Sequence, residues 1–245
     1  MKILISNDDG LYGAGLQPLV DAMKELGEVF VIVPDSNRSA SSHSITIYKP
    51  LQFFKKKKNV YTLSGTPSDC VRFGLLGILK NEKIDFVISG INDGANMGDD
   101  CIYSGTVAAA REGAIMGYPS FSSSLVPGKR QDFKRAAKYT SEIIKKTLKF
   151  KMPEHTFLNI NVPDSSTING IELTKMGKRI YNDYIKKRKD SRGRNFYWIE
   201  SERISGQPIK NSDIVVLGKN KVSVTPLKIN QTDESYYQKL KKFKF

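Results

Sequence analysis

The opening stretch MKILISNDDG, residues 1–10, decides the fold class. Its apolar run Ile3-Leu4-Ile5 reads as a short buried strand. That strand delivers two adjacent carboxylates, Asp8 and Asp9, into a turn that Gly10 can make. In open α/β sheets, ligands gather at the carboxyl ends of strands, so position alone makes the pair a candidate site. Neighbouring carboxylates repel unless positive charge lies between them, and a hard divalent cation is the simplest such charge. An Asp-Asp-Gly stretch also makes an ordinary solvated turn. This segment alone does not separate the two readings.

Outward from it, strand and helix signals alternate. Leu16, Leu19, Val20, Met23 and Leu26 recur at helical spacing and Gly27 follows as a stop. Val29–Val33 reads as a second buried strand ended by Pro34. Thr66-Pro67-Ser68-Asp69 puts Thr at N-cap, Pro at N1 and Asp at N3 of a helix running to about Lys80. Further strands are predicted at 84–89, 118–124 and 157–162, with helices at 105–117 and 131–149. Short strands alternating with helices imply βαβ units. The expected fold is therefore α/β and Rossmann-like: a mostly parallel sheet with helices on both faces, over residues 1–170. From 171 to 245 the pattern changes to strand-like pieces at 196–200, 213–217 and 221–225, turns and a basic tail. That region reads as an extension, a long β-hairpin plus a C-terminal helix, and not as an independent domain. Exposed elements of this kind often pack on a partner subunit.

Composition narrows the function classes. The chain has 245 residues, 39% apolar and 10% aromatic, which marks a globular protein. No apolar run approaches the roughly 20 residues that span a bilayer, and Met1-Lys2 leads straight into a strand without a signal-peptide pattern. No membrane association and a cytoplasmic location are expected. Cys70 and Cys101 do not make a disulfide framework, and Cys70 falls on an apolar helical face as a buried free thiol. With His43 and His155 the only histidines, His-rich zinc sites and phosphohistidine phosphatases are disfavoured. The net charge is +14, and residues 175–194 hold nine Lys or Arg against Asp183 and Asp190, a net +7. Such a segment suits nucleic acid or another anion, or is a solvated lysine-rich surface; most of the charge, including Lys55–Lys58, reads as the latter.

Four features fall at strand ends or strand-to-helix turns: Asp8-Asp9, residues 37–42 (NRSASS), residues 89–96 (SGINDGAN) and residues 103–106 (YSGT). Asp8, Asp9, the Ser39 hydroxyl and the Asn92 amide oxygen are hard oxygen ligands that suit Mg²⁺ or Mn²⁺. Ser104-Gly105-Thr106 at a helix start offers N–H groups, hydroxyls and the positive end of the helix dipole to an anion. A metal beside a phosphate cradle suggests metal-assisted phosphoryl transfer to water. Singly, each feature is as readily a turn, and Ser104 a plain helix cap; it is their joint placement that points to a site. A Walker A loop, a GxGxxG fingerprint and a GxSxG elbow are missing, and adjacent rather than DxD-spaced aspartates do not support a phospho-aspartate.

The motifs NDDG (7–10), NRSASSHSIT (37–46), SGTPSDCV (64–71) and SGINDGANMGDDCIYSGTVAAAREG (89–113) resemble the SurE family, survival proteins that are metal-dependent nucleoside-monophosphate phosphatases. The resemblance continues through FLNINVPD (157–164), GKRIYNDY (177–184), DSRGRNFYWI (190–199) and SVTPLKINQTD (223–233), and so covers nearly the whole chain. It implies one divalent metal cation per subunit, Mg²⁺ or Mn²⁺, on Asp8, Asp9, Ser39 and Asn92. It implies phosphate binding by Ser104, Gly105 and Thr106 with Asn96 lining the same pocket, and Asp8, Asp9 and Asn96 as the catalytic set. It also implies a cytoplasmic homodimer or homotetramer with the C-terminal extension exchanged between subunits. The implied substrates are nucleoside 5′- and 3′-monophosphates and short polyphosphate. Nucleic acid is then not expected as a partner; a basic nucleic-acid-binding protein without phosphatase chemistry is the alternative. Whether Asp8 or Asp9 also takes the attacking water's proton is open, and His43 has no assigned role.

Overall fold

Ile3, Leu4 and Ile5 are wholly buried in the computed structural model, which describes residues 1–243. In chain order the elements are β1 (Lys2–Ser6), α1 (Leu16–Lys24), β2 (Glu28–Pro34), β3 (Phe53–Lys57), β4 (Val60–Leu63), α2 (Pro67–Phe73), β5 (Phe86–Asp93), α3 (Asp100–Tyr103), α4 (Gly105–Ile115), β6 (Ser120–Val126), α5 (Phe133–Thr147), β7 (Thr156–Pro163), β8 (Ile171–Leu173), β9 (Arg179–Lys189), β10 (Asn195–Gly206), α6 (Asp213–Leu217), β11 (Val222–Lys228) and α7 (Glu234–Leu240).

Among the described residues nine strands form one sheet in the order β3-β4-β2-β1-β5-β6-β7-β11-β8. The pairs from β4 through β2, β1, β5 and β6 to β7 are all parallel. This is the expected doubly covered α/β sheet. Ile3, Ile5 and Val31 face α1 and α5, where Leu19, Met23 and Ile144 pack on them. Leu4, Phe30 and Ile32 face the other way, onto Val71 and Leu75 beside Ala109 of α4. Near-continuous apolar strands follow from burial on both faces.

Local chemistry explains the helix starts. Thr66 and Asp69 form a reciprocal capping box with Pro67 at the helix start, as the spacing predicts. The helix does not stay α to residue 80: after Phe73 it widens into a π-helical turn over Gly74–Ile78.

Two expectations change. The run at 213–217 is helix α6 and not a strand, because Ser212 caps it by accepting from Val215 N–H. The Lys55–Lys58 run is solvent-exposed as expected, and most of it forms β3, an edge strand paired antiparallel to β4. The stretch from 171 onward is divided: β8 and β11 join the main sheet, with β11 antiparallel to β7. The hairpin β9–β10 forms a sheet of its own. It is 11 and 12 residues long and leaves Ile185 62%, Tyr197 60% and Ile199 78% exposed.

Candidate active site

The turn after β1 is locked by one side chain. Asn7 Nδ2 donates to Gly10 O at 2.8 Å and Asn7 Oδ1 accepts Gly10 N–H at 3.0 Å. Gly10 has φ +81°, a left-handed conformation that suits glycine. Between these clamps Asp8 is 4% exposed and Asp9 half-buried. The backbone carbonyl of Asp8 accepts Arg38 N–H at 2.7 Å, which draws the 37–42 loop over the pair. Asn37 Oδ1 accepts Ser39 N–H at 2.9 Å, and Ser42 ties the loop to α3 through its N–H on Tyr103 O and its hydroxyl on Ile102 O.

The other wall comes from β5 and α4. β5 extends past the predicted strand end to Asp93, with its pairing to β6 shifting register between Ser89 and Asn92. Asn92 Nδ2 donates to Gly94 O at 2.8 Å, which leaves the carboxamide oxygen as its free end. Ser104 caps α4 by accepting Val107 N–H at 3.1 Å. The Thr106 hydroxyl donates to Asp8 Oδ1. Gly105 allows this approach: a Cβ there would stand 2.9 Å from Asp8 Cβ and from Ser41 Oγ.

Asp8, Asp9, Ser39, Asn92, Asn96 and Ser104 line one cavity of about 330 Å³. Gly105 and Thr106 sit behind them, Thr106 fully buried against Asp8. Sequence reasoning missed four further lining residues that carry chemistry: Asp93, Asp100, Tyr103 and Tyr181. All four lie in stretches already quoted, Tyr181 in GKRIYNDY (177–184), but none was given a chemical role there. Tyr181 belongs to β9, far along the chain from the other site residues; its hydroxyl and Arg179 Nε both reach Asp100. A larger cleft of about 820 Å³ between α1 and β4 shares none of these residues.

Electrostatics favour a cation. Burial pushes the Asp8 carboxyl up, partly offset by the Thr106 hydroxyl. Asp9 is pushed up to about 6, first by burial and then by the charges of Asp8 and Asp93. An acidic enclave in a chain of net charge +14 is the reverse of what an anion alone would select. Among the described residues no three His, Cys, Asp or Glu side chains are placed to hold one metal ion together, so a cation here would take Asp8 and Asp9 plus the neutral oxygens of Ser39 and Asn92. An all-oxygen set of this kind fits a hard divalent ion.

His43 is a structural anchor. Its Nε2 lies 2.8 Å from Glu112 Oε2, while Arg72 Nε donates to Glu112 Oε1 at 2.6 Å. Glu112 is fully buried on α4, so the pair fastens the loop carrying Ser39 and helix α2 to the helix that starts at Ser104. Both cysteines are buried and free, and burial pushes Cys101 up to about 12, so that it stays a thiol.

A Rossmann-like sheet with a carboxylate-and-amide cavity at its strand ends, facing the first turn of a helix, places the chain among open-sheet α/β proteins whose ligand site lies at the carboxyl ends of the strands. The profile of the family described as Survival protein SurE matches residues 3–183. The chain is 41% identical over 243 residues to a protein named 5′-nucleotidase SurE from Methylobacillus flagellatus, covering 98% of each. It is 42% identical over 246 residues to the protein of that name from Geotalea daltonii, covering 99% of each. The crystal structure of the SurE protein from Aquifex aeolicus superposes with a TM-score of 0.88 at 40% identity, over 99% of both chains. The chain belongs to the SurE family.

Proposed function

We propose that this protein is a 5′-nucleotidase, a metal-dependent phosphatase that hydrolyses nucleoside monophosphates to nucleoside and phosphate. One observation carries the reading: Asp8 and Asp9 share a cavity with Ser104 at the start of α4, in a chain whose relatives bear that activity in their names. Asp8, Asp9, Ser39 and Asn92 would hold one Mg²⁺ or Mn²⁺, which when bound supplies positive charge to a phosphate oxygen and acidifies a water. Ser104, the N–H groups of Gly105 and Thr106, and the Asn96 carboxamide hold the remaining phosphate oxygens and meet charge as it shifts onto them. In this reading Asp9 takes the water's proton, since Asp8 already accepts the Thr106 hydroxyl and is the more buried. Tyr103 and Tyr181 line the same cavity and would offer a nucleoside aromatic surface beside the phosphate.

The finer reading extends to 3′-nucleotides and short polyphosphate as further substrates and to a cytoplasmic location; no helix among the described residues is long and apolar enough to cross a membrane. The exposed apolar residues of β9–β10 support a homodimer or homotetramer in which this hairpin, rather than all of residues 171–245, acts as the exchanged extension. The lysine-rich face of β9 favours a second reading, a nucleic-acid-binding protein without this chemistry.

A screen of phosphate esters with phosphate detection, run with and without chelator, tests the proposal. Release from nucleoside monophosphates that stops in chelator and returns with Mg²⁺ or Mn²⁺ is expected. Salt-dependent RNA binding with no phosphate release would favour the second reading.

A further inference from the structure

Asn159 and Asn161 are wholly buried and lie two residues apart on β7, hence on one face of the sheet. They belong to a polar strip inside the protein. Ser6, Ser89, Ser122, Asn159 and Thr225 are successive neighbours in register across β1, β5, β6, β7 and β11. Aliphatic side chains would fill this face at lower cost, because a buried carboxamide must find partners for its N–H groups and its oxygen.

The two asparagines direct those bonds at a single residue. Asn161 Nδ2 donates to Asn96 O at 2.9 Å, and Asn161 Oδ1 accepts Asn96 N–H at 2.9 Å, so the carboxamide pairs with the Asn96 backbone as a neighbouring strand would. Asn159 Nδ2 donates to the same carbonyl at 2.7 Å, and the Cys101 thiol reaches it at 3.4 Å. The Asn96 side chain is held by Ser124 Oγ at 2.8 Å, which leaves its carboxamide oxygen and one N–H for a ligand. Asn96 lies in a loop without helix or strand structure, so these side chains do the work of secondary structure.

We infer that Asn159 and Asn161 are positioning residues that fix Asn96 from beneath, so that its carboxamide meets the substrate phosphate in a set orientation. This rests on the nucleotidase reading of the cavity. Neither residue touches the cavity itself.

The test combines kinetics with hydrogen exchange. Phosphate release from AMP is measured for Asn161→Val, Asn161→Asp and Asn159→Val, and for Asn161→Val combined with Asn96→Ala. Asn161→Val should lower kcat at least about tenfold while the cation concentration for half-activity stays put. The double variant should be no slower than Asn96→Ala alone, because a residue acting through another adds nothing once that one is gone. Without substrate, backbone exchange over 94–101 should quicken in both Val variants. Full additivity in the double variant, or wild-type exchange over 94–101, would overturn the inference. Asn161→Asp keeps the shape and the acceptor but loses the donor, so it carries the same test if the Val variant does not fold. Wild-type protein that releases no phosphate would fail the nucleotidase reading instead, while the exchange measurement still decides what holds Asn96.

Discussion

Replacing Gly105 by Ala should separate activity from stability. The new Cβ would stand 2.9 Å from Asp8 Cβ, 2.9 Å from Ser41 Oγ and 3.1 Å from Pro67 Cγ. These atoms belong to three different segments, so no single neighbour can retreat to make room. Overpacking of this kind costs about 1–3 kcal/mol. Gly105 opens α4 without a positive φ, so Ala gains back up to about 1 kcal/mol of helix propensity. The net loss should then be about 0–3 kcal/mol, small enough for the protein to stay folded. Activity should fall far more, because displacing a reacting group by about 1 Å can cost about a hundredfold. Denaturant unfolding and phosphate release from AMP read the two effects. Gly77→Ala, whose Cβ meets nothing nearer than Phe73 Cζ at 4.0 Å, serves as the control. Wild-type kcat/KM in folded Gly105→Ala protein would refute the claim that close approach of α4 to Asp8 sets the site.

Cation affinity should depend on pH. Asp9 titrates near 6 in the metal-free protein, above its ordinary value of 3.8, so a cation must displace its proton below that pH. Affinity read by calorimetry should be level above about pH 6 and fall about tenfold per unit below it for each proton displaced. The sign for stability is opposite: the penalty from Asp9 is fully present above about 6 and is relieved as pH falls towards 3.8, so the metal-free protein gains stability over that range. Thr106→Val removes the hydroxyl that holds Asp8 down, which should push the Asp8 carboxyl further up and weaken cation binding at neutral pH by about tenfold. Arg72→Met leaves the buried Glu112 with His43 alone and should cost about 1–3 kcal/mol in denaturant unfolding.

The sheet could be read from the chain because β1, β2 and β5 are buried on both faces and carry unbroken apolar runs. Elsewhere the same rules failed for physical reasons. Ile214-Val215-Val216 looks like a strand by its β-branched content, yet Ser212 caps it and Val216 and Leu217 bury as one helical face. The β3 edge strand has no buried face, so it shows no alternation. The site divides along similar lines. Asp8, Asp9 and Ser104 sit beside turn and cap signals that sequence displays. Asn159 and Asn161 do not: polar and apolar residues alternate over 159–162 (NINV), the pattern of a half-solvated strand, whereas here the asparagine face is buried beneath Asn96. Tyr181 and Arg179 reach Asp100 only through tertiary contact.

Asp8 and Asp9 are proposed to serve a cation at a phosphatase site. Phosphate release from AMP in saturating Mn²⁺, compared between wild-type protein and Asp8→Asn, is the decisive measurement. Asn keeps the shape and one oxygen but removes the charge, so turnover should fall by about a hundredfold or more while the thermal midpoint holds or rises. Near-normal turnover in Asp8→Asn, or full wild-type turnover in chelator, would contradict the account.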